Sequence, residues 1–418
     1  MENFVRMTTK NLTNKKIQNN FSEFESIYVH IPFCEIKCPY CDFNAYSKID
    51  NLTESLITAI RSEIYFWSVK FPSIKIKSIY FGGGTPSWID SIYIYEIVSD
   101  LKKYFEFNEN IEITLECNPI DLLDTKISDY KNAGINRYSV GIQSLNNKIL
   151  KFIGRNHNRK QALTGINNLL KNNINNFSVD IMYGIPKQSY LDIKDTVNEL
   201  LKFNPTHFSA YSFTIEPNTP FEKYVRERKI NELNEDEYMK IFHQLYDILE
   251  ENDYFNYEIS NWAKPNYESI HNLNYWDNNK FLGIGPGAHS YINNYRFHNE
   301  KSPKKYIAKI DDIKSNPSSI SFFDILKNND FILDSEKIDL DTQIREYMIF
   351  SLRKNEGLDY SEFQKEFKKP MDIYLTPKFE DFINLGILEI NDKTFRFTNK
   401  GKLLSNEVFR EILYPEQM

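Results

Sequence analysis

From Ser26 to about Tyr211 the chain alternates short apolar, β-branched and aromatic runs with longer stretches whose apolar residues recur at helical spacing. Six of the runs read as strands: Ile27–Ile31, Ser78–Phe81, Glu112–Leu115, Arg137–Val140, Phe177–Met182 and His207–Tyr211. Between them, Leu52, Leu56, Ile60, Ile64 and Trp67 share one helical face, and a second helical stretch from Leu122 to Lys131 stops just before Gly134, a residue suited to close a helix. Six such units predict an α/β fold with a parallel sheet, curved into a partial TIM-type (β/α)6 barrel.

A mixed α/β region rich in aromatics follows, from about Pro217 to Ser318. Beyond Asp341 the pattern becomes three helices, a short hairpin (Ile387–Glu389 and Thr394–Phe397) and a last helix from Lys402, the order of a winged helix. The expected division is a flexible N-terminal extension over 1–24, the barrel over 25–230, the mixed region over 231–335 and a winged-helix-like helical domain over 336–418.

Composition narrows the function classes. At 418 residues and 41% hydrophobic the chain can bury a sizeable core, and a net charge of -7 gives no global field to draw nucleic acid. From Asp359 to the end eleven acidic residues face nine basic ones, so the terminal domain is expected to be structural or partner-binding rather than DNA-reading. No run of 18 apolar residues occurs, and Met1 to Asn20 lacks the apolar core of a signal peptide. The expected location is cytoplasmic, with at most peripheral membrane contact, and a targeting role for the first residues stays open.

The unusual residues cluster after the predicted strands. A cysteine loop follows the first, Gly82-Gly83-Gly84-Thr85-Pro86 the second, Glu116-Cys117-Asn118-Pro119 the third and Gly141-Ile142-Gln143 the fourth, while Asp180 lies near the end of the fifth. In a parallel barrel these ends line one mouth, where sites are built. Three of the four cysteines, Cys34, Cys38 and Cys41, form CxxxCxxC in a segment broken by Pro32 and Pro39, a loop wrapped around something rather than a helix face. Three thiolates suit a 4Fe-4S cluster with one iron open to an exchangeable ligand. Zinc is the competitor, with His30 or Cys117 as fourth ligand, but closed zinc sites more often use two CxxC-type pairs and no second pair exists.

The segment Tyr28-Val-His-Ile-Pro-Phe-Cys-Glu-Ile-Lys-Cys-Pro-Tyr-Cys-Asp-Phe43 resembles the cluster loop of radical S-adenosylmethionine proteins, within them the group of coproporphyrinogen dehydrogenases and HemW proteins. The resemblance implies an open cluster iron chelated by S-adenosylmethionine, an electron donor such as flavodoxin or ferredoxin, and cofactor cleavage to a deoxyadenosyl radical. It implies that Tyr28, Tyr40, Gly83, Gly84, Thr85, Glu116, Gln143, Arg155 and Asp180 contact S-adenosylmethionine, with Glu116 on the ribose and the glycines near the methionine amine. Alone, the triple glycine is an ordinary turn, Arg155 a surface charge and Cys117 an inert buried thiol.

Two departures turn the reading away from the dehydrogenases, which carry a fourth cysteine where Phe43 stands here and a longer N-terminal extension. Conversely, His271-Asn-Leu-Asn-Tyr-Trp276 resembles the HNxxYW motif of the HemW branch, and Thr398-Asn-Lys-Gly401 its C-terminal module. That branch implies haem chaperones, which bind haem and pass it to an acceptor protein, here unknown. His271 offers an imidazole for haem iron, Tyr275 a phenol, and Trp276 a flat surface for the macrocycle. The alternatives are an oxygen-independent coproporphyrinogen III dehydrogenase, which decarboxylates by radical chemistry, and a zinc-binding module without such chemistry. Gly283-Ile-Gly-Pro-Gly287 lacks the spacing of a dinucleotide fingerprint and reads as a tight crossing near the site.

Overall fold

In the computed structural model, residues 24–414 are described except 232, 314–320, 329–330 and 392. The expected extension over 1–24 lies outside them but for Phe24, which is buried against Phe71 and Phe105.

All six predicted strands form, as β1 (Ser26–Ile31), β2 (Lys75–Gly83), β3 (Glu106–Cys117), β4 (Arg137–Gln143), β5 (Phe177–Tyr183) and β6 (His207–Ser212), each pairing in parallel with the next. Their inward residues, among them Ile27, Val29, Ile79, Phe81, Leu115, Val140, Val179 and Phe208, are fully buried, as parallel strands covered by helices require. The apolar face of helix Thr53–Lys70 packs beneath them, and helix Asp124–Ala133 ends where expected, Gly134 taking the left-handed conformation at φ 105°. Asn158 and Ser189 close capping boxes at two further helix starts.

The strands run further than the apolar pattern suggested. Glu116 and Cys117 are paired within β3, and Gly141 and Gln143 within β4, whose register slips at a bulge between them. Sheet hydrogen bonding does not need apolar side chains, and a bulge turns the last residues toward the barrel mouth. Gln143 there sits at φ 64°.

The six strands do not close a barrel; the sheet is open and continues at both edges. At the β6 edge, β7 (Phe255–Glu258) and β8 (Asn261–Ala263) add antiparallel. At the other edge β9 (Phe281–Ile284) pairs in parallel with β1, followed by β10 (His289–Ile292), β11 (Tyr295–Asn299) and β12 (Ile332–Lys337), giving twelve strands in one sheet. The mixed region thus supplies strands to both ends of the barrel sheet.

The C-terminal module has its own core, from Ile344 to Ile412, built from helices Leu340–Arg353, Tyr360–Phe367, Lys378–Asn384 and Ser405–Leu413. A third strand, β13 (Leu358–Asp359), joins the expected hairpin β14 (Leu388–Ile390) and β15 (Thr394–Phe397), completing the winged-helix-like plan. One buried cation ties the module to the barrel edge: Lys402 Nζ donates to Asn256 Oδ1 at 2.6 Å and Asn355 Oδ1 at 2.9 Å. Lys402→Met strands both amide oxygens, so it is expected to cost about 1–3 kcal/mol in denaturant unfolding, with the loss concentrated in the C-terminal module. Burial lowers the Lys402 pKa to about 8, so the unfolded chain binds more protons between about pH 8 and the usual lysine range. The lysine's contribution therefore grows as pH rises through that window and is lost as it falls through about 8.

Candidate functional site

The cysteine loop leaves β1 and is pinned at its neck. Cys34 N donates to Tyr46 O at 2.9 Å, and Tyr46 N returns a bond to Pro32 O at 2.8 Å. Gly84 is what lets the second loop pass underneath, since a Cβ there would stand 2.5 Å from Phe33 O, and backbone cannot give way. The closely packed neighbour Thr85 brings its hydroxyl within 3.4 Å of Cys34 Sγ.

All three clustered thiols are half-buried and border one cavity of about 350 Å³. Burial raises the Cys34 pKa and pushes Cys41 up to about 11, with the other thiols adding to the cost of a negative charge. A bound cationic centre would reverse that balance and favour the thiolates. Among the described residues no group of three or more His, Cys, Asp or Glu stands close enough together to hold a metal ion. Both fourth-ligand candidates for zinc are otherwise engaged. His30 shares its Nδ1 with Tyr28 Oη (3.1 Å) and its Nε2 with Asn44 O (2.9 Å). Cys117 is 4% exposed, and its thiol donates to Leu115 O within its own strand.

The same cavity gathers Tyr40, Gly84, Thr85, Glu116, Gln143, Arg155 and Asp180 from successive strand ends. Glu116 accepts from Tyr80 Oη at 2.8 Å and Gly83 N at 3.3 Å, and burial lifts its carboxyl to about 7. Arg155 is no surface charge. Its guanidinium donates to Asn118 Oδ1 and Gly141 O (2.9 Å), lies 3.9 Å from Cys38 Sγ, and leaves a buried Nε without a partner. Asp180 accepts from Ser139 Oγ (2.7 Å) and Ser178 Oγ (2.9 Å) while burial raises its pKa. Tyr40 packs edge-on to Phe213.

Sequence reasoning missed Tyr80, Asn118, Ser139 and Ser178, the residues that hold these groups in place. The parallel register carried part of the signal: Tyr28 pairs with Tyr80 and Tyr80 with Thr114 in one row, and two residues further along β3, on the same face, Glu116 pairs with Ser139 and Ser139 with Ser178 in the next.

A second cavity of about 670 Å³ shares Lys37, Asp42, Phe43 and Glu116 with the first. Tyr28, Gly83 and Tyr275 border it. His271 lies behind that wall at 1% exposure, on helix Ile270–Trp276. Its Nδ1 meets Ser78 Oγ at 2.9 Å, its Nε2 meets Tyr275 Oη at 2.9 Å, and its ring stacks on Tyr80. Burial depresses its pKa to about 3, so the ring is neutral, with both nitrogens spoken for in this conformation. Trp276 packs against Phe350 and under the Arg353 guanidinium, at the contact with the C-terminal module.

Compared with known proteins, residues 28–200 match the radical SAM superfamily and residues 338–404 match the HemN C-terminal domain. The chain is 30% identical to the "Heme chaperone HemW" of Bacillus subtilis, over 93% of this chain and 99% of that one. It is 34% identical to the protein of the same name from Buchnera aphidicola subsp. Schizaphis graminum, over 93% and 98%. Among solved structures, coproporphyrinogen III oxidase (HemN) from Escherichia coli superposes with a TM-score of 0.78 at 22% identity, covering 93% of this chain and 90% of that one, which speaks to the fold alone.

Proposed function

The chain belongs to the HemW haem-chaperone family within the radical SAM superfamily, and from that premise we propose that it binds haem and hands it to an acceptor protein, using a 4Fe-4S cluster with exchangeable S-adenosylmethionine. The observation that carries the reading is the cavity where three unpaired, half-buried thiols meet a row of polar groups from consecutive strand ends.

Cys34, Cys38 and Cys41 would hold the cluster, which when bound supplies an open iron for the cofactor's amino acid group and a route for single electrons. Tyr28, Tyr40, Gly83, Gly84, Thr85, Glu116, Gln143, Arg155 and Asp180 would hold the cofactor. Gly83 and Gly84 make room for His30 and Phe33 and so set the loop that would line the cofactor, Tyr80 orients Glu116 to accept from ribose hydroxyls, and Arg155 sets a positive charge beside the thiols. A reductant such as flavodoxin or ferredoxin would load the electron. Haem would enter the neighbouring cavity, where Tyr275 forms part of the wall and His271 holds the Tyr275 phenol. The three-part division into barrel, extension and winged-helix-like module is likewise proposed, and a cytoplasmic setting accords with the absence, among the described residues, of any helix long and apolar enough to cross a membrane.

The Glu116 pKa near 7 gives this reading a pH dependence. An ionised carboxylate accepts from two ribose hydroxyls, and a protonated one loses much of that capacity, so S-adenosylmethionine affinity is expected to fall as pH drops through about 7. Isothermal titration between pH 6 and 8 checks this, and Glu116→Gln should bind weakly with little pH dependence.

The reading as a whole is tested by anaerobic titration of the reconstituted protein with haemin, with and without S-adenosylmethionine. A Soret shift at one haem per chain is expected, and absence of any binding excludes the chaperone role. Formation of protoporphyrinogen from coproporphyrinogen in the same preparation would favour the dehydrogenase instead.

A further inference from the structure

Resting on the haem reading above, the geometry points to His289 as the side chain that meets haem iron, in the second cavity, with the porphyrin lying against Phe43 and its carboxylates received by Lys37 and Lys301. His271, the imidazole marked out by its motif, has no nitrogen free without breaking bonds to Ser78 or Tyr275. His289 differs in each respect. It is the first residue of β10, set by the Gly285–Gly287 turn, is exposed, and borders the cavity. No hydrogen bond engages either of its nitrogens among the described residues.

Its ring is nonetheless held. The ring of His298, its partner across the antiparallel β10–β11 pair, lies tilted against it with centroids 4.9 Å apart and is itself fixed by an Nδ1 contact of 3.1 Å to Asn299 O. Its backbone packs directly on β9, where only glycine fits, since a Cβ on Gly283 would lie 2.0 Å from His289 O. An oriented imidazole with a free lone pair is the commonest haem ligand.

The rest of the cavity has the matching chemistry. Phe43 is 62% exposed and Phe281 and Tyr275 border the same space, an apolar wall that water covers poorly. Its volume falls within the range of small-molecule sites. Lys37, tethered to Phe43 O at 2.8 Å, and Lys301 provide two cations for two carboxylates. The cavity's own carboxyl groups, Asp42 and Glu116, both belong to the partition with the cofactor cavity, whereas His289 and Lys301 border the haem side alone. A flat apolar ring carrying a metal and two acids satisfies all these features; a porphyrinogen, with no metal, leaves the imidazole unused.

The test is haemin titration of the full-length reconstituted protein, comparing wild type, His289→Ala, His271→Ala and Lys301→Ala by Soret absorbance and low-temperature EPR of the ferric complex. His289→Ala should weaken haem binding roughly tenfold or more, lose the nitrogen-ligand EPR signature, and regain it with added imidazole, while circular dichroism stays native because the residue is exposed. His271→Ala should weaken binding yet keep the signature, and Lys301→Ala should weaken haemin but not its dimethyl ester. Wild-type affinity and spectrum in His289→Ala, or loss of the signature in His271→Ala alone, overturns the assignment. Failure of the wild type to bind haemin at all overturns the haem reading beneath it.

Discussion

Replacing any one of Cys34, Cys38 and Cys41 with serine is expected to give a colourless protein that has lost its iron and no longer binds S-adenosylmethionine. Wild-type chain purified without oxygen should be brown and carry about four irons. Each cysteine supplies one corner of the proposed cluster, and the open fourth corner is useful only while the other three hold. Serine oxygen is a poor ligand for this iron, and a serine hydroxyl can still serve the contacts that the thiols make with Thr85 Oγ1 and Gly154 O. Cys34 N and Tyr46 N close the neck through backbone atoms, and Gly84 and Thr85 pack beneath it. The variants should therefore keep native circular dichroism and unfolding midpoints near those of wild-type apoprotein. Elemental analysis separates this from the zinc alternative: one zinc per chain, with no iron under anaerobic reconstitution, would remove the basis of the functional reading. Cys117→Ser serves as the comparison, expected to retain the full cluster, since that thiol donates within its own strand.

The second large effect lies outside the site, at a buried carboxylate. Glu63, on helix Thr53–Lys70, is 0% exposed and accepts four hydrogen bonds: Trp67 Nε1 (3.0 Å) and Asn299 Nδ2 (2.8 Å) on one oxygen, Gly285 N (2.8 Å) and the Tyr306 hydroxyl on the other. It thereby fastens the Gly285 turn, which leads to His289, onto the helix beneath β1. Glu63→Leu leaves four buried donors without an acceptor and should cost about 3–5 kcal/mol in denaturant unfolding. Glu63→Gln keeps one oxygen but turns its amide toward Gly285 N, donor against donor, and should cost about 1–3 kcal/mol. Burial pushes the Glu63 carboxyl up to about 7, so the folded protein holds its proton where the unfolded chain has released it. Its contribution is full below the usual glutamate range and is lost as pH rises through about 7. The stability gap between wild type and Glu63→Gln should therefore narrow from pH 5 to pH 8; a gap that stays constant across that range would show that the carboxyl is ionised throughout.

Much of this was legible in the chain. The alternation of β-branched runs with helical periodicity gave all six barrel strands, because a parallel strand covered on both faces must be apolar along its length. The CxxxCxxC spacing pointed to its proposed chemistry locally, since three candidate ligands within eight residues need no partner from elsewhere to be noticed. Strand ends were harder to read: Glu116, Gly141 and Gln143 are polar or small, and only the ladder bonds with Ser139, Asp180 and Ile181 assign them to strands. The edge strands β7 to β12 also escaped, being three to six residues long, too short for a period to declare itself.

What the sequence determined by itself was the set of local decisions: which segments alternate, where helices stop, which loop carries thiols. Tertiary structure decided which groups are free. His271 and His289 are both single histidines among aromatics, and neighbours in sequence favour the first, yet Ser78 and Tyr275 take both nitrogens of His271 while the strand pair leaves those of His289 open. Likewise Arg155 reads as an ordinary surface charge until contacts with Asn118 and Gly141 engage it, and nothing in its own segment marks Glu63 as the buried partner of Gly285 and Tyr306. Availability of a lone pair or a proton depends on atoms brought from far along the chain, and no spacing within one segment encodes that.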